Sequence, residues 1–171
     1  MKAPIISIVA AASVLSVGCS KQNGSSSTSS SQASAAVPIA EPAMTAWHQG
    51  DKTNAVTTFV ATDWSARPLF APDSALSLSE RQFNVMSEAQ ARVKSAELLA
   101  QLDALKALAR AVIQTGEDAA AKGDTAQARK CFTSLEQCGA ALKTANNARL
   151  VQLVGQAFQK LAKSESAKAG Q

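Results

Sequence analysis

The sequence has few of the residues that build catalytic and metal sites. Its 171 residues include one histidine, His48, and three cysteines. A metal or catalytic site needs several such groups that converge, whereas carboxylates occur singly here and no phosphate loop, nucleophile motif or haem motif is present. Cys131 and Cys138 lie seven positions apart on a predicted helix, and we interpret them as small core residues rather than a metal or redox pair. We therefore expect no enzymatic activity, no cofactor and no bound metal.

Proline is absent after Pro72, and no stretch alternates apolar and polar residues as a strand does. Alanine is frequent between larger apolar residues, which favours close packing of helices. The predicted fold class is all-α, a small domain of about five helices over residues 38–164, followed by a frayed tail at 165–171. One long helix and antiparallel helical hairpins form its framework.

The long helix is predicted to begin after Ser79, where Gln82 completes a capping box. If it is unbroken to Lys122 it has 44 residues, which corresponds to about 66 Å. If this helix bends, Thr115–Gly116 is the expected place, because glycine weakens a helix interior. Its apolar stripe is Leu98, Leu102, Leu105, Ala109, Val112, Gly116 and Ala119.

Two further helices are predicted after the Gly123-Asp124 turn, with a break at 144–147. The stripe of the returning helix is Ala128, Cys131, Phe132, Leu135, Cys138 and Leu142. The stripe of the last helix is Leu150, Val154, Phe158 and Leu161.

The charges are mixed along the chain. The formal net charge is +4. Without Lys2, which lies in a segment that we expect to be removed, 16 basic and 13 acidic side chains give 16 − 13 = +3. Since the charges are interspersed and form no basic patch, we expect no nucleic-acid partner.

The N-terminal segment reads as an export signal and a linker. Lys2 is followed by an apolar run to Val17 that is too short for an ordinary transmembrane helix. Residues 1–18 are therefore predicted to be a signal peptide. Residues 20–36 are serine-rich and of low complexity, so we expect a disordered linker.

The run Leu15-Ser16-Val17-Gly18-Cys19-Ser20 resembles the lipobox of bacterial lipoproteins, although Ser16 stands where that family usually has leucine. The resemblance implies that Cys19 is acylated and becomes the mature N-terminus, and that residues 19–37 tether the domain to a membrane. Ser20 after the cysteine resembles lipoproteins sent to the outer membrane, which implies a place in the cell envelope facing the periplasm. The alternative is cleavage by ordinary signal peptidase, with Cys19 incidental.

Two turns in the domain match each other. Gly50-Asp51 is followed by Ala55 and Phe59, and Gly123-Asp124 is followed by Ala128 and Phe132 at the same offsets. Glycine permits a positive φ that ends one helix, and aspartate caps the next. The set Gly116, Gly123, Ala128 and Phe132 resembles a tetratricopeptide repeat, a helical hairpin of the kind that binds partner proteins. The positions that depart from that pattern are Val112, Thr115, Ala119 and Ala140.

The connector from Trp64 to Ser77 is irregular and yet apolar. Trp47, Trp64, Leu69 and Phe70 form a possible partner surface, or the connector side chains clamp this loop onto the helices. The predicted function is a non-catalytic envelope lipoprotein that acts as a helical interaction or scaffolding module. One alternative is a small-molecule-binding or accessory subunit of an export or envelope-assembly system, with a pocket at Trp47, Phe59, Trp64 and Phe70. The other is an enzyme with an unrecognised site that includes His48.

Overall fold

The structure is a computed structural model and describes residues 37–144 and 146–169. These residues are all-helical, as predicted, with one short 3₁₀ turn at Ala75–Ser77 and no strand in the described part. The helices are α1 Glu41–His48, α2 Lys52–Ala61, α3 Glu80–Asn84, α4 Glu88–Ala121, α5 Thr125–Leu142 and α6 Arg149–Ala169. No helix among the described residues is long and apolar enough to cross a membrane. The predicted signal peptide, Cys19 and the serine-rich linker lie outside the described residues.

The predicted 44-residue helix is wrong at its start. Ser79 and Gln82 do form a capping box, but the helix that they open, α3, has only five residues. A second capping box follows at once, in which the Ser87 hydroxyl accepts from Gln90 N–H and the Gln90 side chain caps Ser87 N–H. Since each box satisfies the free N–H groups of a helix N-terminus, two boxes produce two helices. The long helix α4 therefore has 34 residues, or about 51 Å, and it continues through Gly116.

The two glycine turns have the same geometry. Gly50 has φ +82° and Gly123 has φ +80°. Asp51 accepts a hydrogen bond from Asn54 N–H at 3.1 Å, and Asp124 accepts one from Gln127 N–H at 2.9 Å. Each aspartate N–H also donates to a carbonyl five residues earlier, on Ala46 and on Ala119. The turn that joins α1 to α2 therefore has the same backbone conformation and the same capping hydrogen bonds as the turn that joins α4 to α5.

The main core contains buried residues of α1, α2, α4, α5, α6 and the connector between α2 and α3, and hydrogen bonds join that connector to α5. Trp64 is buried, and its indole N–H lies 3.0 Å from Ser134 Oγ of α5 and 3.2 Å from the Phe59 carbonyl oxygen. The Ser134 hydroxyl donates to the same carbonyl at 2.9 Å. A buried polar group is costly unless it has a partner, so this closed set of hydrogen bonds fixes the connector on α5.

The register predicted for α6 is shifted from the observed one. Its buried residues are Val151, Gly155, Phe158, Ala162 and Glu165. Of the predicted stripe, Phe158 is buried and Val154 packs partly against the core, whereas Leu150 and Leu161 are exposed. Glycine at position 155 and alanine at position 162 face the core because α6 packs closely on α5, and close approach leaves no room for leucine at these positions. α6 also extends to Ala169, so the helix continues past the predicted fraying point at residue 164.

Candidate interaction surfaces

The four residues predicted to form a partner surface are mostly core residues. Trp64, Leu69 and Phe70 have relative exposures of 2%, 8% and 6%. The connector is held down by its backbone, because the carbonyl of Pro68 accepts from Ile39 N–H and that of Leu69 accepts from Ala40 N–H. These side chains therefore clamp the loop, as the alternative interpretation had it, and they are not available to a partner.

Trp47, the fourth member, is half-buried at the end of α1. The Lys52 ammonium lies 5.8 Å from the centroid of its ring, a cation–π distance. Its histidine neighbour, His48, is exposed. Among the described residues no three His, Cys, Asp or Glu side chains come together in a way that could hold a metal ion. Trp47 and His48 therefore lie at the end of α1 without a group of metal-ligating side chains around them.

The alternative function as a small-molecule-binding subunit requires a pocket between the side chains of Trp47, Phe59, Trp64 and Phe70. Phe59 and Trp64 instead pack on each other, with ring centroids 4.6 Å apart. Both are buried, and the Trp64 indole N–H is occupied by Ser134 and Phe59. Phe59 and Trp64 therefore form a solid packing unit.

Cys131 and Cys138 are free thiols, and both are buried in α5. Burial raises the pKa of both thiols, and Cys138 is the more strongly affected. Gln127 lies four residues before Cys131, with its amide nitrogen 3.8 Å from the sulfur. Neutral thiols are poor nucleophiles and poor metal ligands, so both side chains act as small core residues.

The first exposed surface is the corner between α3 and α4. The α3–α4 corner, as we name it, consists of Val85, Met86, Ala89 and Val93. Val85 and Val93 have relative exposures of 78% and 67%, and no residue from Glu88 to Glu97 is buried. The start of α4 therefore presents apolar side chains to solvent where an ordinary surface helix presents polar ones.

An open depression of about 440 Å³ runs along this corner, lined by Met86, Ala89, Gln90, Val93 and Lys94. Beyond it, Ala96 and Ala100 are exposed and continue the spacing of three and four residues that begins at Met86. Such spacing places the side chains in one seam along the helix. The corner is therefore the start of a longer apolar seam on α4.

The charged residues beside the α3–α4 corner pair with each other. Arg92 lies 2.8 Å from Glu88, and Lys94 lies 2.7 Å from Glu97. The hydrogen bond from Lys94 is the main cause that lowers the pKa of Glu97. Each pair contributes little to stability at an exposed site, but together they leave this surface without an excess of either charge.

The second exposed surface lies on the outer side of α6. The α6 strip, as we name it, consists of Leu150, Leu153, Ala157 and Leu161. The three leucines have relative exposures of 40%, 44% and 45%, and the spacings of three and four residues place all four side chains on one face. The apolar periodicity of α6 was visible in the sequence, but periodicity alone did not show which of its two apolar faces is buried.

The exposed charges of α6 are all basic. They belong to Arg149, Lys160, Lys163 and Lys168, whereas Glu165, the only acidic residue of the helix, is buried. Lys168 is held 2.7 Å from Glu165, and this hydrogen bond raises the pKa of Lys168. Arg149 and Lys160 lie four residues before and seven residues after Leu153, so they flank the strip directly.

Comparison of the chain with protein-family models, curated proteins and solved structures finds no match.

Proposed function

We propose that this chain is a non-catalytic lipoprotein of the bacterial cell envelope that binds a helix of a partner protein at the α3–α4 corner. The lipobox-like run ending at Cys19 and the serine-rich stretch after it support the envelope location and the lipid anchor. The exposed apolar seam at the start of α4 is the observation that supports binding of a partner. Lipid attachment holds the domain at the outer membrane, facing the periplasm.

The chemistry of the corner indicates a helix as the bound element. Side chains repeated at three and four residues match the seam of a second helix. Alanines at positions 89, 96 and 100 allow close approach, while Met86 and Val93 supply apolar area. Because the neighbouring charges are already paired, the corner selects its partner by apolar packing rather than by charge.

Site-specific photo-crosslinking in the producing bacterium tests this function. A photoreactive residue replaces Val93 in one variant and Ser95 in the matched control, which is also exposed on α4 and lies off the seam. We expect a discrete adduct from position 93 and none from position 95. The crosslinked peptide should carry apolar residues at spacings of three and four.

The adduct from position 93 should disappear when Ala96→Asp is added, because a carboxylate in the seam opposes apolar packing. No adduct at position 93, or equal adducts at both positions, would overturn the proposed docking site. An adduct that contains only two copies of this chain would show that the corner binds a second copy and not a different protein.

A further inference from the structure

The α6 strip differs from the α3–α4 corner in its charge. α6 carries four basic residues and one acidic residue, so its formal charge is 4 − 1 = +3. The acidic residue is buried against the helix bundle, so the exposed charge of α6 is entirely positive. An apolar strip flanked by lysine and arginine is typical of helices that lie in the interface of an anionic membrane.

The place where the chain enters the domain lies beside the N-terminal end of α6. Ile39 and Ala40 hydrogen-bond to Pro68 and Leu69. Pro68 and Leu69 in turn line one surface groove together with Asn146 and Asn147, which immediately precede α6. The sequence has 17 residues, 20–36, between Cys19 and this point, and a chain of 17 residues reaches at most about 60 Å. A membrane anchor at Cys19 would therefore tether this side of the domain to the bilayer.

We propose that the α6 strip rests on the surface of an anionic phospholipid bilayer. Leu150, Leu153 and Leu161 enter the boundary between headgroups and acyl chains, and Arg149 and Lys160 contact lipid phosphates. This contact orients the domain on the membrane to which the proposed anchor ties it. The inference rests on the proposed envelope location, but the contact itself requires no acyl chain and is tested without one.

Charge favours the bilayer over a second copy of this chain as the occupant. Two α6 strips packed on each other bring Arg149 and Lys160 of both copies together without an exposed acidic residue on either helix. Lys163 is different, because it already lies 3.7 Å from Glu136 of α5. An anionic lipid surface supplies the opposite charge along the whole length of the strip.

The test is vesicle co-sedimentation of the mature chain, residues 19–171 with Cys19→Ser, which contains every described residue and has no acyl chain. The vesicles are phosphatidylcholine alone, or equal parts of phosphatidylcholine and phosphatidylglycerol. We expect binding to the anionic vesicles only, and a loss of binding as salt is raised. Leu153→Asp with Leu161→Asp should weaken binding at least tenfold, as should Arg149→Glu with Lys160→Glu.

Val93→Asp with Leu99→Asp is the matched control, because it places the same two charges on exposed apolar positions of α4. It should leave vesicle binding unchanged, and the crosslink from position 93 with and without Ala96→Asp tests the proposed function independently. No binding to anionic vesicles, equal binding to both kinds of vesicle, or binding that is insensitive to the α6 variants would overturn the membrane contact. A dimer in sedimentation equilibrium that the α6 variants dissociate would assign the strip to a second copy and would also overturn it.

Membrane fractionation of the Cys19→Ala chain in high salt, which screens the contact of α6 with anionic lipid, tests the anchor separately. A soluble Cys19→Ala chain supports the anchor whatever the vesicle assay shows. Failure of the vesicle assay alone therefore removes the α6 contact and leaves the proposed function in place.

Discussion

Gly139 of α5 and Gly155 of α6 pack backbone against backbone. A Cβ atom added to Gly155 would lie 2.6 Å from the carbonyl oxygen of Gly139, and one added to Gly139 would lie 2.7 Å from that of Gly155. Neither glycine has a positive φ, so their role is to allow close approach. The missing side chains set the distance between the two helices and thereby the face of α6 that is buried.

Gly155→Ala should destabilise the domain even though alanine is the better helix former. The gain in helix propensity is about 1 kcal/mol, and the clash is with backbone atoms that cannot rotate away. Overpacking of this kind costs about 1–3 kcal/mol, so we expect a net loss in the free energy of unfolding, measured by urea denaturation. Ala157→Ser, two residues further on the exposed face, is the control and should change stability by less than about 0.5 kcal/mol. A Gly155→Ala variant that is more stable than the wild type would contradict the close α5–α6 contact.

Gly116→Ala tests whether α4 and α5 also approach each other too closely for a side chain at a glycine position. Its Cβ would lie 2.7 Å from the Phe132 ring and 3.1 Å from the Cys131 Cβ. The ring is buried and cannot swing into solvent. The sequence alone predicted a neutral or slightly stabilising effect unless the returning helix approached closely here, and the structure shows that close approach. Overpacking costs about 1–3 kcal/mol against a gain of about 1 kcal/mol in helix propensity, so we now expect a net loss in the free energy of unfolding.

A double-mutant cycle with Phe132→Leu separates this contact from a general effect on α4. The smaller side chain makes room for the new methyl group, so Gly116→Ala should cost less in the Phe132→Leu background. Equal costs in both backgrounds would show that the ring does not set the position of Gly116.

The sequence predicted the parts of the fold that depend on local chemistry. The all-helical class, the Gly50-Asp51 and Gly123-Asp124 turns and the break before α6 follow from helix propensity, positive-φ glycine and capping side chains. The Ser87–Gln90 capping box depends on the same local chemistry, and it divides the single helix predicted from Ser79 onward into α3 and α4.

The interaction surfaces could not be predicted in this way, because they depend on tertiary packing. Trp64 and Phe70 have the composition of a partner surface but are covered by the bundle, whereas Leu150 and Leu161 continue a core-like period on the outside of α6. Which face of α6 is buried is decided by the contact of Gly155 with Gly139, between residues that are 16 positions apart in the chain. The spacing of apolar residues along the sequence does not show that these two glycines meet.

Gly123→Val should destabilise the domain by more than about 1 kcal/mol. Gly123 has φ +80°, and nothing lies within 4 Å of an added Cβ. The cost is therefore one of backbone conformation, which a β-branched side chain strongly disfavours at positive φ. Gly123→Asn is the control and should cost less, since asparagine tolerates this conformation. If thermal melts find equal and negligible effects for both variants, the tight turn between α4 and α5 does not form in solution.

Cys19→Ala should release the protein into the soluble fraction when membranes are washed with high salt, which screens the contact of α6 with anionic lipid. Acylation of a lipobox cysteine attaches two or three chains, and two are enough for stable anchoring where one is not. Mass spectrometry of the wild-type chain should find an acylated Cys19 as the first residue, with residues 1–18 absent. An unmodified N-terminus at any other position would refute the lipid anchor.

Cys131 and Cys138 should remain free thiols even in an oxidising periplasm. Seven residues of α-helix separate them by about 10.5 Å, whereas the Cα atoms of a disulfide lie within about 7 Å of each other. Thiol titration after unfolding without reductant should therefore detect both, and titration of the native protein should detect neither because both are buried. A native chain without titratable thiols after unfolding would show that α5 is broken between them.

Burial of Cys138 should also make the stability of the domain fall at alkaline pH. The pKa of the buried thiol is raised above its ordinary value of 9.0, so between these two values the unfolded chain loses a proton that the folded chain keeps. The unfolded state then binds fewer protons, and the free energy of unfolding decreases as pH rises above 9.0. Below that pH the thiol is protonated in both states and contributes no slope. Cys138→Ala removes the titrating group, so its stability, measured by urea denaturation at pH values on both sides of 9.0, should decline less steeply than that of the wild type. Parallel curves for the two proteins would mean that the thiolate of Cys138 is solvated in the folded state and that α5 does not bury it.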